Sequence, residues 1–317
     1  MLKREIFEDN IYLTPTITPK KLFDKTLNFV DSDKDLVLNK IIKSGKFYLQ
    51  KNEVWQGLVH PQPTLDKVMV ENLKEQNQIY SVGDGVFNLN IDEIKGLALS
   101  KKEKDLLKPY YESNHLLKYY GIKQTNIYVI YTDSSFKKPN SMDKYPNLKK
   151  HLDKFQSIIT SDNKPYGLHR ARKQNIFEGN KILSRVKCVD YPIFTYVDFD
   201  CYVGLNFNII KTSRIDMKYL MGILNSKLVA FWLKHKGKMQ GNNYQINQEP
   251  LLNIPIVKPN AKNKKIVDEI VNLVDKILEL KAQDLSANTA PLESQIDDLV
   301  YKLYNLDSKE IQIIQGQ

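Results

Sequence analysis

The sequence predicts an α+β protein in which a mixed-sheet middle is followed by a helical C-terminal part. Three observations carry this. Asn126–Tyr131, Lys181–Val189, Ile193–Val197 and Leu205–Ile210 are short, rich in β-branched and aromatic residues, and separated by turn residues, so they read as strands. Asp216–Lys236 places Leu220, Ile223, Leu224, Leu228, Phe231 and Trp232 at helical spacing. Beyond residue 260 the helical period returns in Ile266, Ile270, Leu273, Val274, Ile277 and Leu278, and again in Ile296, Leu299, Val300 and Leu303.

Taken in order, the chain begins irregularly with Pro15 and Pro19. Asp31-Ser-Asp is then a good N-cap cluster, with Leu36, Ile41 and Ile42 as the expected apolar face of a helix. From Phe47 to Phe87 the text is strand-like and rich in loops. Gly83-Asp84-Gly85 is expected to be a tight turn rather than a phosphate cradle. A short helix from Lys101 is stopped by Pro109, and the tyrosines at 110, 111, 119 and 120 are expected to be half-buried.

Asp133–Asn147 is polar, contains Pro139 and Pro146, and is the best linker in the front half. Leu148, Leu152, Phe155, Ile158 and Ile159 predict a helix ending before Ser161. The helix over Asp216–Lys236 is expected to run unbroken to a left-handed C-cap at Gly237. A break near Ser286–Pro291 separates the last two amphipathic helices. Asp307-Ser-Lys-Glu310 then predicts a capping box on a final short one.

Composition narrows the function. The chain has 317 residues and 42% hydrophobic content, room for two domains and a well-buried core. Its net charge is +10, and residues 164–259 hold 15 Lys and Arg against 6 Asp and Glu. One third of the chain thus carries +9 of the excess, which suits a phosphate-binding face as well as it suits a solvated basic surface. Cys188 and Cys201 are too few for a disulfide framework and are expected to be reduced core residues. The N-terminus lacks the apolar run of a signal peptide, and nothing approaches the roughly 20 residues of a membrane span. A cytoplasmic protein with no membrane partner is expected.

Catalytic motifs are missing. There is no Asx-Pro-Pro-aromatic tetrapeptide, Gly-rich cofactor turn, Walker loop, nucleophile elbow or His-Glu-x-x-His, and the five histidines are scattered. Glu93-Ile-Lys95 and Glu279-Leu-Lys281 match a fragment common in metal-dependent nucleases, but such triplets arise readily by chance in a charged chain. No catalytic residue and no metal site is therefore predicted. What remains is recognition chemistry. Arg170, Arg172, Lys173, Arg185 and Lys187 offer forks and point charges for phosphate, with Lys164, Tyr166 and His169 in the same stretch. Lys234, Lys236 and Lys238 lead into Gln240, Asn242, Asn243, Tyr244 and Gln245. There a mobile glycine loop would offer amides to base edges and Tyr244 for stacking, unless it is simply a polar loop after a helix. Trp55 and Trp232 are expected in the core.

At these residues the chain resembles a known family. Leu168-His-Arg-Ala-Arg-Lys-Gln-Asn-Ile-Phe-Glu-Gly-Asn-Lys-Ile-Leu, Tyr202-Val-Gly-Leu-Asn-Phe-Asn-Ile-Ile, Tyr219-Leu-Met-Gly-Ile-Leu-Asn-Ser-Lys-Leu and Ile254-Pro-Ile follow in order. The series is similar to the TaqI-like C-terminal specificity domain of adenine-N6 DNA methyltransferases, including type IIG restriction-modification enzymes. Gly83-Asp-Gly-Val-Phe, Leu106–Tyr120 and Ile296–Leu306 resemble its flanking regions.

The resemblance implies a mixed-sheet DNA target recognition domain with a helical C-terminal part. It implies double-stranded DNA and a methyltransferase catalytic domain or subunit as partners, and S-adenosylmethionine as that partner's cofactor rather than this chain's. The expected division is 1–135 as the part following the catalytic core, 136–260 as the specificity domain and 261–317 as helical spacer. The core itself is absent, so the chain reads as an excised C-terminal part or a free specificity subunit. A type I-like subunit, a metal-dependent nuclease using Glu93 and Lys95, and an RNA-binding protein are the alternatives.

Overall fold

The computed structural model describes residues 32–60, 62–73 and 79–316; Pro15, Pro19 and Asp31 lie outside them. The front half runs α1 (Ser32–Ser44), β1 (Val54–Gln56), α2 (Lys67–Leu73), β2 (Asn88–Asn90), α3 (Ile91–Gly96), α4 (Lys101–Lys104), β3 (Leu107–Pro109), β4 (Tyr119–Tyr120), β5 (Ile127–Ile130) and α5 (Pro146–Asp153). The middle holds β6 (Lys181–Arg185), β7 (Lys187–Val189), β8 (Phe194–Val197), β9 (Phe207–Ile210), α6 (Met217–Leu224), α7 (Lys227–Lys236), β10 (Lys238–Gln240), β11 (Asn243–Gln245) and α8 (Gln248–Leu252). The end is helical: α9 (Lys264–Gln283), α10 (Ala290–Leu303) and α11 (Ser308–Gln315).

The organising element is a five-stranded sheet ordered β1-β9-β6-β8-β4, mixed because β4 runs parallel to β8 while the other pairs are antiparallel. Alternate residues of a strand face opposite sides, and here both sides are covered. Ile182 and Ile210 join one core with α1, α6, α7 and the C-terminal helices. Leu183 and Ile209 join the other, with the β2-β5-β3 sheet and α5. Pro109 sits on β3, an edge strand, where its missing N–H breaks no ladder.

Several expectations change in three dimensions. The helix expected over Asp216–Lys236 is two. Asn225 leaves the helical path to exchange hydrogen bonds with Phe194, accepting its N–H at 3.1 Å and donating Nδ2 to its carbonyl at 3.0 Å. Ser226 then caps α7. Gly237 is extended, with φ −88°, not left-handed; a Cβ there would lie 2.4 Å from the Leu233 carbonyl oxygen. On α1 the buried face is Val37, Leu38 and Ile41, while Leu36 is exposed. Tyr110, Tyr111 and Tyr119 are buried rather than half-buried.

The expected linker Asp133–Asn147 is mostly ordered as two short 3-10 turns with Met142 in the core. The helix expected to reach Ile159 stops at Asp153, and Ile158 and Ile159 are buried beyond it. The Gly83 turn, with φ +98°, and the Asp307–Glu310 capping box form as the sequence indicates. Cys188 and Cys201 are free and buried.

Candidate nucleic-acid interface

The expected strand Lys181–Val189 splits at Val186. Its backbone N–H donates to the Asn206 carbonyl, and its own carbonyl accepts from Ile246. The chain thereby leaves the central sheet and enters a second one, ordered β10-β11-β7. The stretch expected as a mobile loop is the β10–β11 hairpin of this sheet. Gly241 has φ +60° and Asn242 completes a two-residue turn, the pattern of a II′ hairpin.

Register sorts the side chains into rows, because directly opposed residues share a face. Lys238, Gln245 and Lys187 make one row, and Gln240, Asn243 and Val189 make the next. All six are exposed except half-buried Gln245. Between them Met239, Tyr244 and Cys188 point the other way; Tyr244 and Cys188 are core residues and Met239 packs against that core. One face of this sheet is therefore amide and ammonium, the other apolar. Tyr244, expected as a stacking platform, is 6% exposed and packed against the core. Val189 was not singled out from the sequence; only the register shows that it shares the face of Gln240 and Asn243.

The basic run lies at the same end of the central sheet. Val59 and Arg170 exchange backbone hydrogen bonds at 3.0 Å. Arg172, at φ +64°, donates Nε to the Gly57 carbonyl at 3.2 Å, and its own carbonyl accepts from the Tyr131 hydroxyl. Burial, then the charge of Arg170, lowers the Arg172 pKa. Gly57 follows the C-terminal end of β1, which pairs with the start of β9 beside the end of β6. That is where the chain passes into β7. Arg170 and Lys173 are exposed here, as is Lys164, while the His169 ring sits 3.4 Å from Asp162 Oδ2.

Other predicted residues are taken up internally. Arg185 Nη2 donates to the carbonyls of Ser113 at 2.6 Å and Leu116 at 2.7 Å. The Tyr166 hydroxyl donates to Asp153. Lys234 is exposed and Lys236 half-buried in the last turn of α7. His235 between them has its pKa lowered by burial and by Lys34, Lys234 and Lys236.

Some of the +9 excess also serves the fold. Lys181 is fully buried against the carbonyls of Gly179 and Phe199, with its pKa pushed down to about 8 by burial. Lys211 ties Asn175 and Glu178, Arg214 grips Glu53, and Lys218 pairs with Asp275. Glu93 is likewise committed, accepting from the backbone of Gly85 at 2.6 Å and of Asn90 at 2.7 Å. Among the described residues no cluster of three or more His, Cys, Asp or Glu is placed to hold a metal ion, and no helix is long and apolar enough to cross a membrane.

Residues 108–256 match the model of the TaqI-like C-terminal specificity domain. This part of the chain is similar to a TaqI-like specificity domain. The match runs from within β3 past α8 and includes every strand of the β10-β11-β7 sheet. Two curated relatives from Haemophilus influenzae, the type II methyltransferases M.HincII and M.HindII, are 41% identical over 68 residues. That stretch is 20% of this chain but only 14% and 13% of theirs. Among solved structures, the type IIL restriction-modification enzyme MmeI, determined in complex with DNA, shares the fold with a TM-score of 0.55 at 11% identity. The likeness covers 86% of this chain and 35% of MmeI.

Proposed function

We propose that the chain is the target recognition part of a restriction-modification enzyme, reading double-stranded DNA so that a methyltransferase domain or subunit can act on an adenine N6. The observation that carries this is the face of the β10-β11-β7 sheet. Its rows interleave Lys187 and Lys238 with Gln240, Asn243 and Gln245 on a sheet whose other face packs against the core. Ammonium groups attract phosphate wherever it lies, whereas a carboxamide matches the edge of adenine and mismatches the others. The specificity-domain match, the methyltransferase relatives and the DNA complex of MmeI support the same reading.

In this reading the chemistry belongs to the partner. An extruded adenine and S-adenosylmethionine would meet in a catalytic domain, and this chain would fix the register of the duplex beneath it. The glycine turn at 83–85 does not suit a cofactor here. The amides of Ser81, Gly83, Asp84 and Gly85 already donate to Asp84, Leu65, Ser81 and Glu93.

The test is a selection from randomised duplexes. A defined sequence should emerge, and it should change when Gln240 and Asn243 are both replaced by alanine. Binding of single-stranded RNA or of any duplex with equal affinity would overturn the proposal.

A further inference from the structure

We infer that Val189 is a specificity-determining residue that contacts the C5-methyl group of a thymine. This rests on the reading that the β10-β11-β7 face meets duplex DNA, and it goes on to name one base.

Val189 is 65% exposed, on a face whose other members are amides and ammoniums. Its direct neighbour across the strand gap is Asn243, and beyond that stands Gln240. The chain then turns sharply away: Asp190 has φ +64° and the Tyr191 N–H donates back to the Val189 carbonyl at 2.7 Å. The isopropyl group is thereby left at the rim of the sheet, on the side of the amides.

The bases of a duplex present one apolar group on the major-groove edge, the thymine methyl. An Asn or Gln carboxamide pairs with N6 and N7 of adenine, the base opposite that thymine. Strands stand about 4.8 Å apart, so the row sets a carboxamide and an isopropyl group side by side on the scale of one base pair. The row Gln240–Asn243–Val189 is built to read an A·T pair from both bases at once. A G·C pair would offer the amide no matching edge and the valine no methyl.

The experiment uses the 317-residue chain and the duplex it selects. Each thymine is replaced in turn by deoxyuridine, which removes only the methyl group, and binding is measured for the wild type and for Val189→Ala and Val189→Ile. Burying one methyl implies that the wild type loses about three- to tenfold affinity at one thymine. Val189→Ile should keep that loss, and Val189→Ala should be indifferent to the replacement at the same position. The inference is overturned if the wild type ignores every replacement, if Val189→Ala keeps the wild-type sensitivity, or if the selected site has no A·T pair. In each of those cases a sequence has still been selected, so the reading of the face as a DNA interface stands. If no sequence is selected at all, both fall together.

Discussion

Arg172 donates its Nε–H to the carbonyl of Gly57 at 3.2 Å, which fastens the basic run to the end of β1. Arg170 and Lys173 on either side are exposed. The three cations therefore divide into one that holds the run and two that face solvent. Replacing Arg170 and Lys173 by alanine should reduce the log–log dependence of DNA affinity on salt by about 0.9 for each phosphate no longer neutralised. Arg172→Ala should lower the unfolding midpoint as well. Anisotropy titrations at several salt concentrations, with urea melts beside them, check both; an unchanged slope would mark Arg170 and Lys173 as solvated surface.

On the β10-β11-β7 face the rows predict two phenotypes. Lys187→Ala and Lys238→Ala should weaken binding to all duplexes alike and flatten the salt dependence. Gln240→Ala and Asn243→Ala should cost roughly 1–3 kcal/mol on the selected site and little on random duplex. Competition between specific and scrambled duplexes separates the two.

Arg185 is predicted to act on stability. Its Nη2 serves two carbonyls of the segment Ser113–Leu116, and hydrogen bonds to a charged donor are among the stronger ones. Arg185→Met keeps much of the stem but strands the Leu116 carbonyl and leaves the Ser113 carbonyl only the Leu116 N–H, and should cost about 2 kcal/mol. The salt slope should stay at its wild-type value. A fall in slope with unchanged stability would assign Arg185 to DNA instead.

Acid should unfold the protein through two histidines. Burial pushes the pKa of His60 and of His151 from 6.5 down to about 4, and His151 Nε2 hydrogen-bonds the Val86 carbonyl at 3.0 Å. The unfolded chain binds these protons first, so the contribution is present above pH 6.5 and is lost as pH falls towards 4. Asp297 works oppositely: burial raises its pKa to about 6, so its own contribution is lost as pH rises from 4 to 6. His235, its pKa also lowered, adds to the side of the two histidines, so the sum is a net loss in acid. His151→Gln should shrink the drop in stability between pH 7 and pH 5, as measured by denaturant melts.

Much of what the proposed interface offers was legible in the chain itself. Its basic third, its amide-rich stretch and its apolar periods name the residue types, and local signals place the Gly83 turn, the Asp307 cap and the last three helices. These depend on neighbours a few residues away, which the sequence contains. The division of labour among the cations was not legible. Nothing near Arg185 in sequence indicates that its fork turns inward to Ser113 and Leu116, 72 and 69 positions away. Asn225 leaves its helix because Phe194 offers a backbone donor and acceptor, 31 positions distant. The proposed reading face is the clearest case. Lys187 and Val189 belong to one sequence segment and Lys238–Gln245 to another, and strand register alone puts them in common rows. The sequence determined which chemical groups the face has to offer. Tertiary pairing decided which of them stand side by side, because a strand alternates its faces every residue while register is set by a partner far along the chain.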